Sequence, residues 1–344
     1  MRRPTVPVAI GADTTYVRGM RYLLVLSLLF TVGCRTGDGS PDTDPVANAG
    51  PAEVPVQRLA MDGPLADAES EISGLAWYGA QLVLLPQYPS RVDNSVYTIS
   101  RSALDAAIDG STPTLSPKAV PLVAPGLDGI AGFQGYEAIA FDGDTAWVTI
   151  ECEPGKGMLG WLVKGTMSGS ELVLDPATRQ QLAPLGPIGN MAFEAVIVTP
   201  DGPLAFYEAN GVVSSPVALS PGRDPVPMPR VPFRITDATD VQDGRFWVIN
   251  YFWPGDDKLA GADPIARKYG KGPTHAASDT VERLVELQLG AGIAYTSTPP
   301  IQLELGDKAR NWEGVVRHRD GFVLATDKFP ETILAYVKAP AADQ

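Results

Sequence analysis

Acidic side chains recur in pairs at a fixed spacing along this sequence. Glu137 and Glu151 lie fourteen positions apart, at the two ends of a segment with apolar runs around an Asp-Gly turn. This pattern is typical of a β-hairpin. Because the two strands of a hairpin are antiparallel, the start of the first strand and the end of the second lie at the same edge. The pattern therefore predicts two neighbouring carboxylates, which could bind a cation or transfer a proton.

The same hairpin occurs five times, with Gly in every turn. Its end positions are fourteen apart in four copies and thirteen apart in the fourth: Ser73 with Gln87, Glu137 with Glu151, Glu194 with Glu208, Asp237 with Asn250, and Glu313 with Asp327. One or two further β-like runs follow each hairpin, which is typical of a β-propeller. We therefore predict an all-β fold, a β-propeller of five four-stranded blades. Six blades are the alternative, because the long fourth unit has room for a degenerate blade.

The propeller is predicted to be one domain, residues 54–338, followed by a short tail, residues 339–344. The last repeat has three candidate strands, and we expect Val54 to Met61 to supply its fourth strand. That pairing would join the two ends of the domain and remove its free sheet edges. The segment from Ser102 to Ile108 is the one predicted helix.

The first strand of each propeller blade lines the central channel, so the five pairs should meet around one mouth. Seven of the ten positions are carboxylates, which repel one another unless a cation lies among them. Oxygen ligands favour Ca²⁺, with Mg²⁺ and Mn²⁺ as lesser candidates. The predicted metal ligands are Glu137, Glu194, Asp237 and Glu313, and the predicted second ligands or general bases are Glu151, Glu208 and Asp327. The alternative is that these side chains satisfy backbone N–H groups or hold water in the channel.

Basic side chains lie in the loops that leave from the same mouth, among them Arg91. They could hold an anionic small-molecule substrate, such as a phosphate ester, against a bound cation. The predicted substrate-binding residues are Lys156, Arg267, Lys268 and Lys328. The alternative is that these charges only balance an acidic surface.

The N-terminus has the pattern of an export signal. An apolar run from Leu23 to Val32 is too short to span a membrane but suits a secretory signal. Thr31 to Cys34 resembles the lipobox of bacterial lipoproteins, so we predict a signal peptide over residues 1–34 and lipidation of Cys34. Residues 1–19 are an upstream extension in this prediction, because the conventional signal pattern begins at Met20. A plain secretory signal is the alternative. Residues 35–53 are predicted to be a flexible tether, so the domain would lie in the cell envelope, facing the periplasm or at the cell surface, with membrane contact through the lipid only.

The net charge limits the expected binding partners, and the cysteine content limits the expected disulfide bonds. The chain has 27 Lys and Arg against 40 Asp and Glu, a net charge of −13, which excludes nucleic acid as an expected partner. Beyond Cys34 only Cys152 remains, so no disulfide is expected within the domain.

The openings of the repeats resemble those of the phytase-like or esterase-like propeller family of exported bacterial proteins. The matching segments are Ser73-Gly74-Leu75-Ala76, Glu137-Ala138-Ile139, Glu194-Ala195-Val196, Glu313-Gly314-Val315, Arg267-Lys268-Tyr269-Gly270 and the stretch from Val281 to Leu287. The resemblance covers nearly all of residues 54–338 and implies a propeller related to calcium-dependent phytases. Ser73, Gln87 and Asn250 depart from its acidic pattern. The expected function is a calcium-dependent phosphoester or ester hydrolase, and the alternative is a non-catalytic binding or assembly module for a protein or glycan.

Overall fold

The computed structural model describes residues 50–155, 157–186, 189–210 and 215–341. The predicted signal peptide, Cys34, most of the predicted tether and Lys156 lie outside these residues. Within the described ranges, none of the helices combines the length and the hydropathy that crossing a membrane requires.

Most of the regular structure is β-strand. The described strands are β1 Gln57–Leu59, β2 Ile72–Tyr78, β3 Gln81–Pro86, β4 Ser95–Ser100, β5 Lys118–Val123, β6 Phe133–Asp142, β7 Thr145–Cys152, β8 Leu159–Met167, β9 Leu172–Leu174, β10 Gln180–Leu182, β11 Phe193–Thr199, β12 Gly202–Tyr207, β13 Val217–Leu219, β14 Val226–Pro227, β15 Arg234–Ala238, β16 Arg245–Phe252, β17 Val281–Leu289, β18 Ile293–Tyr295, β19 Ile301–Gln302, β20 Trp312–His318, β21 Gly321–Thr326 and β22 Leu334–Lys338. The helices are α1 Arg101–Ile108, α2 Pro264–Tyr269 and α3 Pro273–Ala276, with 3-10 turns at Gly63–Ala66, Pro89–Arg91 and Pro176–Thr178.

The strands pair in consecutive antiparallel groups. We define group 1 as β2–β5, group 2 as β6–β10, group 3 as β11–β14, group 4 as β15–β19, and group 5 as β20–β22 with β1. The outer strands β5 and β9 also pair in parallel, which joins groups 1 and 2 into one sheet. In each group the first two strands are the hairpin that the sequence repeats.

The five first strands, β2, β6, β11, β15 and β20, contact one another in a closed ring, since β20 also packs against β2. Apolar side chains fill the spaces between neighbouring groups in five clusters. One of these clusters joins group 5 to group 1 through Leu75, Leu84, Val316 and Val323. Burial of apolar surface between the groups is therefore what holds the ring closed, and the prediction of an all-β propeller fold is confirmed.

The ends of the domain meet in group 5, as predicted. Strand β1 pairs antiparallel with β22, with Gln57 opposite Tyr336 and Leu59 opposite Leu334. The side chain of Leu59 is buried in the cluster between groups 5 and 1. The N-terminal strand thus covers an edge that β22 would otherwise expose.

Helix α1 confirms the predicted helix, and Ser100 caps it by accepting a hydrogen bond from the backbone N–H of Ala103. Helices α2 and α3 were not predicted. They form in the long segment between β16 and β17, where Asp263 caps α2 and pairs with Arg283 at 2.7 Å. His275 of α3 lies 2.8 Å from Glu53. These pairs fix the segment to the outer strands of group 4 and to the start of the domain.

Every first strand carries a β-bulge at the position where the repeat was identified. The register shifts occur between Ile72 and Gly74, Tyr136 and Ala138, Phe193 and Ala195, Ile235 and Ala238, and Trp312 and Gly314. A bulge leaves a residue unpaired and changes the direction of its side chain. The repeated acidic position is therefore a structural position of the hairpin.

Group 4 corrects the predicted alignment by one residue. Ile235 pairs with Asn250, as Phe193 pairs with Tyr207 in group 3. Thr236 and Tyr251 therefore occupy the positions of Glu194 and Glu208. Asp237 and Asn250 are each displaced by one position along their strands, which explains why that pair is thirteen residues apart.

A truncation tests the role of β1. A variant that begins at Gly63 should melt at least about 5 °C below one that begins at Gly50, because it loses the β1 pairing and the burial of Leu59. It should also self-associate through the exposed edge of β22. Differential scanning fluorimetry and light scattering measure both effects, and equal melting temperatures for the two variants would contradict this account of closure.

Candidate functional site

Six carboxylates from groups 2, 3 and 5 interact at the centre of the ring. We call them the acidic cluster: Glu137, Glu151, Glu194, Glu208, Glu313 and Asp327. Each pair comes from one hairpin, with the first member at the bulge and the second directly after β12 or β21, or at the end of β7. The structure brings these six residues close enough to interact electrostatically.

Burial and mutual repulsion raise the pKa values of the cluster. Burial, and then the neighbouring carboxylate of Glu151, hold the pKa of Glu137 well above its ordinary value. Burial, and then Glu208, raise the pKa of Glu151 to about 8. Burial raises the pKa of Asp327 to about 6, although Asn311 and the Phe329 N–H oppose this by stabilising its charge. The cluster therefore holds protons near neutral pH unless another positive charge replaces them.

Amide side chains bind two edges of the cluster. Gln87 donates from Nε2 to Glu137 at 3.2 Å. Gly135 leaves room for this contact, since a Cβ atom there would lie 2.4 Å from Cγ of Gln87. Asn311 donates from Nδ2 to Glu313 at 2.5 Å and to Asp327 at 3.0 Å. Asn311 was not predicted, although it directly precedes the Trp312-Glu313 pair of the repeat.

Arg234 is the cation beside the cluster that sequence reasoning missed. Its guanidinium pairs with Glu208 and, at 2.7 Å, with Asp256 of the segment after β16. Burial works against the charge of Arg234, but Glu208 and Glu194 outweigh it and raise the Arg234 pKa. Glu208 is fully buried and its pKa is raised less than burial alone would produce, because Arg234 stabilises its ionised form. One arginine thus offsets part of the charge of six acids.

Several buried oxygen atoms of this site have no hydrogen-bond donor among the described residues. They are Glu151 Oε1, Glu194 Oε2, Glu208 Oε2 and Asn311 Oδ1. The charges of Glu194 and Glu208 also raise each other's cost of ionisation, since burial and then Glu208 raise the pKa of Glu194. An ionised carboxylate accepts hydrogen bonds and donates none, so a proton, a water molecule or a cation is left to satisfy these oxygens.

The remaining ring positions have a structural role. Ser73 donates its hydroxyl hydrogen to the carbonyl of Tyr136, and Thr236 donates in the same way to the carbonyl of Trp312. Asp237 is 1% exposed, and its carboxylate accepts the backbone N–H of Val315 at 2.7 Å. For Asp237, the structure favours the alternative that the side chain satisfies backbone groups.

Asn250 also lies apart from the acidic cluster. It donates to the carbonyls of Pro232 and Arg234 and accepts from Arg283 at 2.8 Å. All of its contacts are within group 4 or the segment leading to it, so it links two strands there.

The predicted basic residues separate into different locations. Lys328 lies beside the acidic cluster and pairs with Glu71 at 2.9 Å. Arg267 and Lys268 are exposed on α2, which is fixed to the outer strands of group 4, and Lys268 contacts Tyr269 at 2.8 Å. Lys156 is outside the described residues.

A complete metal site is not preformed in the described part of the chain, where no three Asp, Glu, His or Cys side chains are arranged around a common position. The two histidines lie elsewhere, with His275 on Glu53 and His318 on Asp105. Oxygen donors are therefore the ligands that the acidic cluster offers, and they suit Ca²⁺ rather than Zn²⁺.

Comparison with known proteins gives no family assignment. No protein-family model matches the chain, and no curated protein matches it. Solved structures with similar folds include a GH130 protein that targets β-1,2 mannosidic linkages in Candida mannan, with 10% identity over 89% of this chain and 99% of that chain and a TM-score of 0.42. A glycosyl hydrolase from Bacteroides ovatus has 9% identity over 81% and 87%, with a TM-score of 0.40. The Cellvibrio cellulosa α-L-arabinanase has 9% identity over 79% and 91%, with a TM-score of 0.39. Likeness at this level does not extend to activity.

The raised pKa values predict how stability depends on pH. A group whose folded pKa lies above its unfolded value stabilises the fold at low pH and loses that contribution as pH rises through the folded pKa. In EDTA, the melting temperature should therefore fall by about 5–10 °C between pH 5 and pH 8, the window set by Asp327 and Glu151. Glu151→Gln should flatten this slope, whereas Glu171→Gln at an exposed position should not. A wild-type melting temperature that is constant or rises over this window would contradict the burial of the cluster.

Substitution of Asp237 tests whether this residue has a structural role or binds a cation. Asp237→Ala should lower the free energy of unfolding by about 2–4 kcal/mol, because it leaves buried backbone N–H groups without an acceptor. Urea denaturation measures the loss, and Asp240→Ala, at an exposed site, should change it little. The increase in stability on adding Ca²⁺ should be the same in Asp237→Ala as in the wild type. If the variant lost this increase, Asp237 would be a calcium ligand after all.

Proposed function

We propose that this chain is an exported, lipid-anchored propeller whose acidic cluster binds Ca²⁺ and hydrolyses an anionic ester. The observation that carries the proposal is the set of buried carboxylate oxygens of Glu151, Glu194 and Glu208 that lack a donor among the described residues. The export signal and Cys34 support the location, and the resemblance of the repeats to phytase-like propellers supports the substrate class.

A divalent cation suits the charge of the cluster. Six carboxylates face Arg234 and, beside Asp327, Lys328, so the charge that these two cations leave is neutralised either by protons or by a bound cation. Ca²⁺ takes six to eight oxygen ligands in flexible geometry, which suits a site assembled from several strands. Glu137, Glu194 and Glu313 would hold the ion, and Oδ1 of Asn311 is a neutral oxygen beside them. Binding requires these carboxyl groups to lose their protons first.

The other residues of the cluster are assigned separate roles in hydrolysis. Bound Ca²⁺ supplies a Lewis acid that polarises the ester and lowers the pKa of a water molecule. Asp327 is the best candidate general base, because its pKa of about 6 suits proton transfer near neutral pH. Glu151 is the second candidate. Glu208 is less suited, since its pairing with Arg234 stabilises the carboxylate and weakens it as a base.

A binding module without catalysis is the second candidate function. It is favoured by Ser73, Thr236 and Asp237, which connect neighbouring strands instead of contributing to the cluster. In that case Ca²⁺ would only stiffen the ring, and the mouth would bind a protein or glycan of the cell envelope.

Calcium-dependent melting and ester turnover test the proposal together. At pH 8, 1 mM Ca²⁺ should raise the melting temperature of the wild type by about 5 °C or more, and by less at pH 6, where protons compete with the ion. The double variant Glu137→Gln with Glu194→Gln should lose this response. Its turnover of p-nitrophenyl phosphate should fall at least about 100-fold.

The matched control is Glu171→Gln with Glu304→Gln, which removes the same charge from exposed positions and should retain both properties. Stabilisation by calcium without turnover would leave only the binding module. A wild-type melting temperature that does not respond to calcium at pH 8 would exclude the cation site.

A further inference from the structure

A groove of about 1320 Å³ lies beside the acidic cluster, between the loops of groups 1 and 5. Its walls include Pro64 and Glu71 of the segment before β2, Arg91 of the loop after β3, and Lys328 and Phe329 after β21. The groove adjoins the cluster at Asp327, which directly precedes Lys328 and accepts the backbone N–H of Phe329 at 2.6 Å. A ligand in the groove would therefore lie next to Asp327, one of the residues proposed for hydrolysis.

Two basic side chains from different strand groups converge on one oxygen atom in this groove. Nη1 of Arg91 lies 2.8 Å from Oε1 of Glu71, and Nζ of Lys328 lies 2.9 Å from the same atom. Glu71 is 2% exposed and has a φ of 52°, an unfavourable backbone conformation for a residue with a side chain. The position of this carboxylate is thus fixed by its surroundings, and it balances one of the two positive charges.

Both basic groups have donors left for a ligand. The guanidinium of Arg91 lies over the ring of Tyr88 at 3.8 Å, which fixes its plane. It carries five N–H groups and the ammonium of Lys328 carries three, and each group makes one hydrogen bond within the described ranges. The side chains of Arg91 and Lys328 are 55% and 37% exposed, so they are accessible from solvent. A planar and a point-like cation together suit an oxyanion.

We propose that Arg91 and Lys328 form a binding site for a negatively charged group of the ligand, a phosphate or a carboxylate. This deepens the proposed function and rests on it for the statement that the ligand is a substrate. The substrate would carry an oxyanion in the groove and a separate ester at the acidic cluster. Phe329, which is 58% exposed at the rim, would cover an apolar part between them.

Calorimetric titration in EDTA tests the site without calcium and without turnover. Inorganic phosphate should bind to the wild type with a Kd in the millimolar range, and Arg91→Gln with Lys328→Gln should weaken it at least about tenfold. The matched control is Arg267→Gln with Lys268→Gln, which removes two positive charges from exposed positions and should bind phosphate like the wild type. Succinate in place of phosphate shows whether the site prefers a carboxylate.

A third variant changes binding in the opposite direction. Glu71→Gln removes the carboxylate that competes for both cations, so phosphate should bind several times more tightly. This variant also keeps the test decisive if the double variant does not fold. Phosphate and succinate binding that is unchanged in either groove variant, or no saturable binding to the wild type, would overturn the site.

The outcome is separable from that of the proposed function. If calcium neither stabilises the protein nor supports turnover, but phosphate binding depends on Arg91 and Lys328, the anion site stands and the hydrolase does not. If turnover is found, the groove variant should raise KM for a bisphosphate ester, which carries a second anionic group, at least about tenfold and change kcat little, whereas KM for p-nitrophenyl phosphate should stay unchanged.

Discussion

The burial of six carboxylates around one channel is the constraint on which the site depends. Apolar clusters between neighbouring strand groups hold the first strands close together, and the hairpins of groups 2, 3 and 5 place acidic side chains where they interact electrostatically. Removal of water makes each charge costly, and each acid raises the pKa of its neighbours. Arg234 and Lys328 offset only part of the negative charge at this site, so protons or a bound cation are needed to balance the rest.

The five hairpins share a geometry but divide their roles. In groups 1 and 4, Ser73 and Thr236 at the bulge donate to the carbonyl of the next first strand and so connect neighbouring hairpins. In groups 2, 3 and 5 the same position holds glutamate, and no described donor reaches Oε2 of Glu194. The acids are thus concentrated on part of the ring, while the polar neutral residues maintain its closure.

The repeat made much of this arrangement predictable from sequence. A constant spacing of fourteen residues predicted the hairpins and the neighbouring acids, and the incomplete last repeat predicted the strand that closes the ring. Group 4 misled the alignment because Asp237 resembles the other acids in type, whereas pairing register places Thr236 at that position. Arg234 and Asn311 were missed because the position two residues before the bulge residue has no common chemistry among the repeats. The same position is Gly135 in group 2 and Ala192 in group 3. The groove could not be predicted, because the two partners of Glu71, Arg91 and Lys328, belong to different strand groups and are far apart in the sequence.

The central claim is that the acidic cluster is a cation site, and anomalous diffraction tests it most directly. Crystals grown at pH 8 with Ca²⁺, measured at a wavelength where calcium scatters anomalously, should show one strong peak about 2.3–2.6 Å from carboxylate oxygens of Glu194 and Glu313. An acidic cluster without an anomalous peak at saturating calcium would contradict the account.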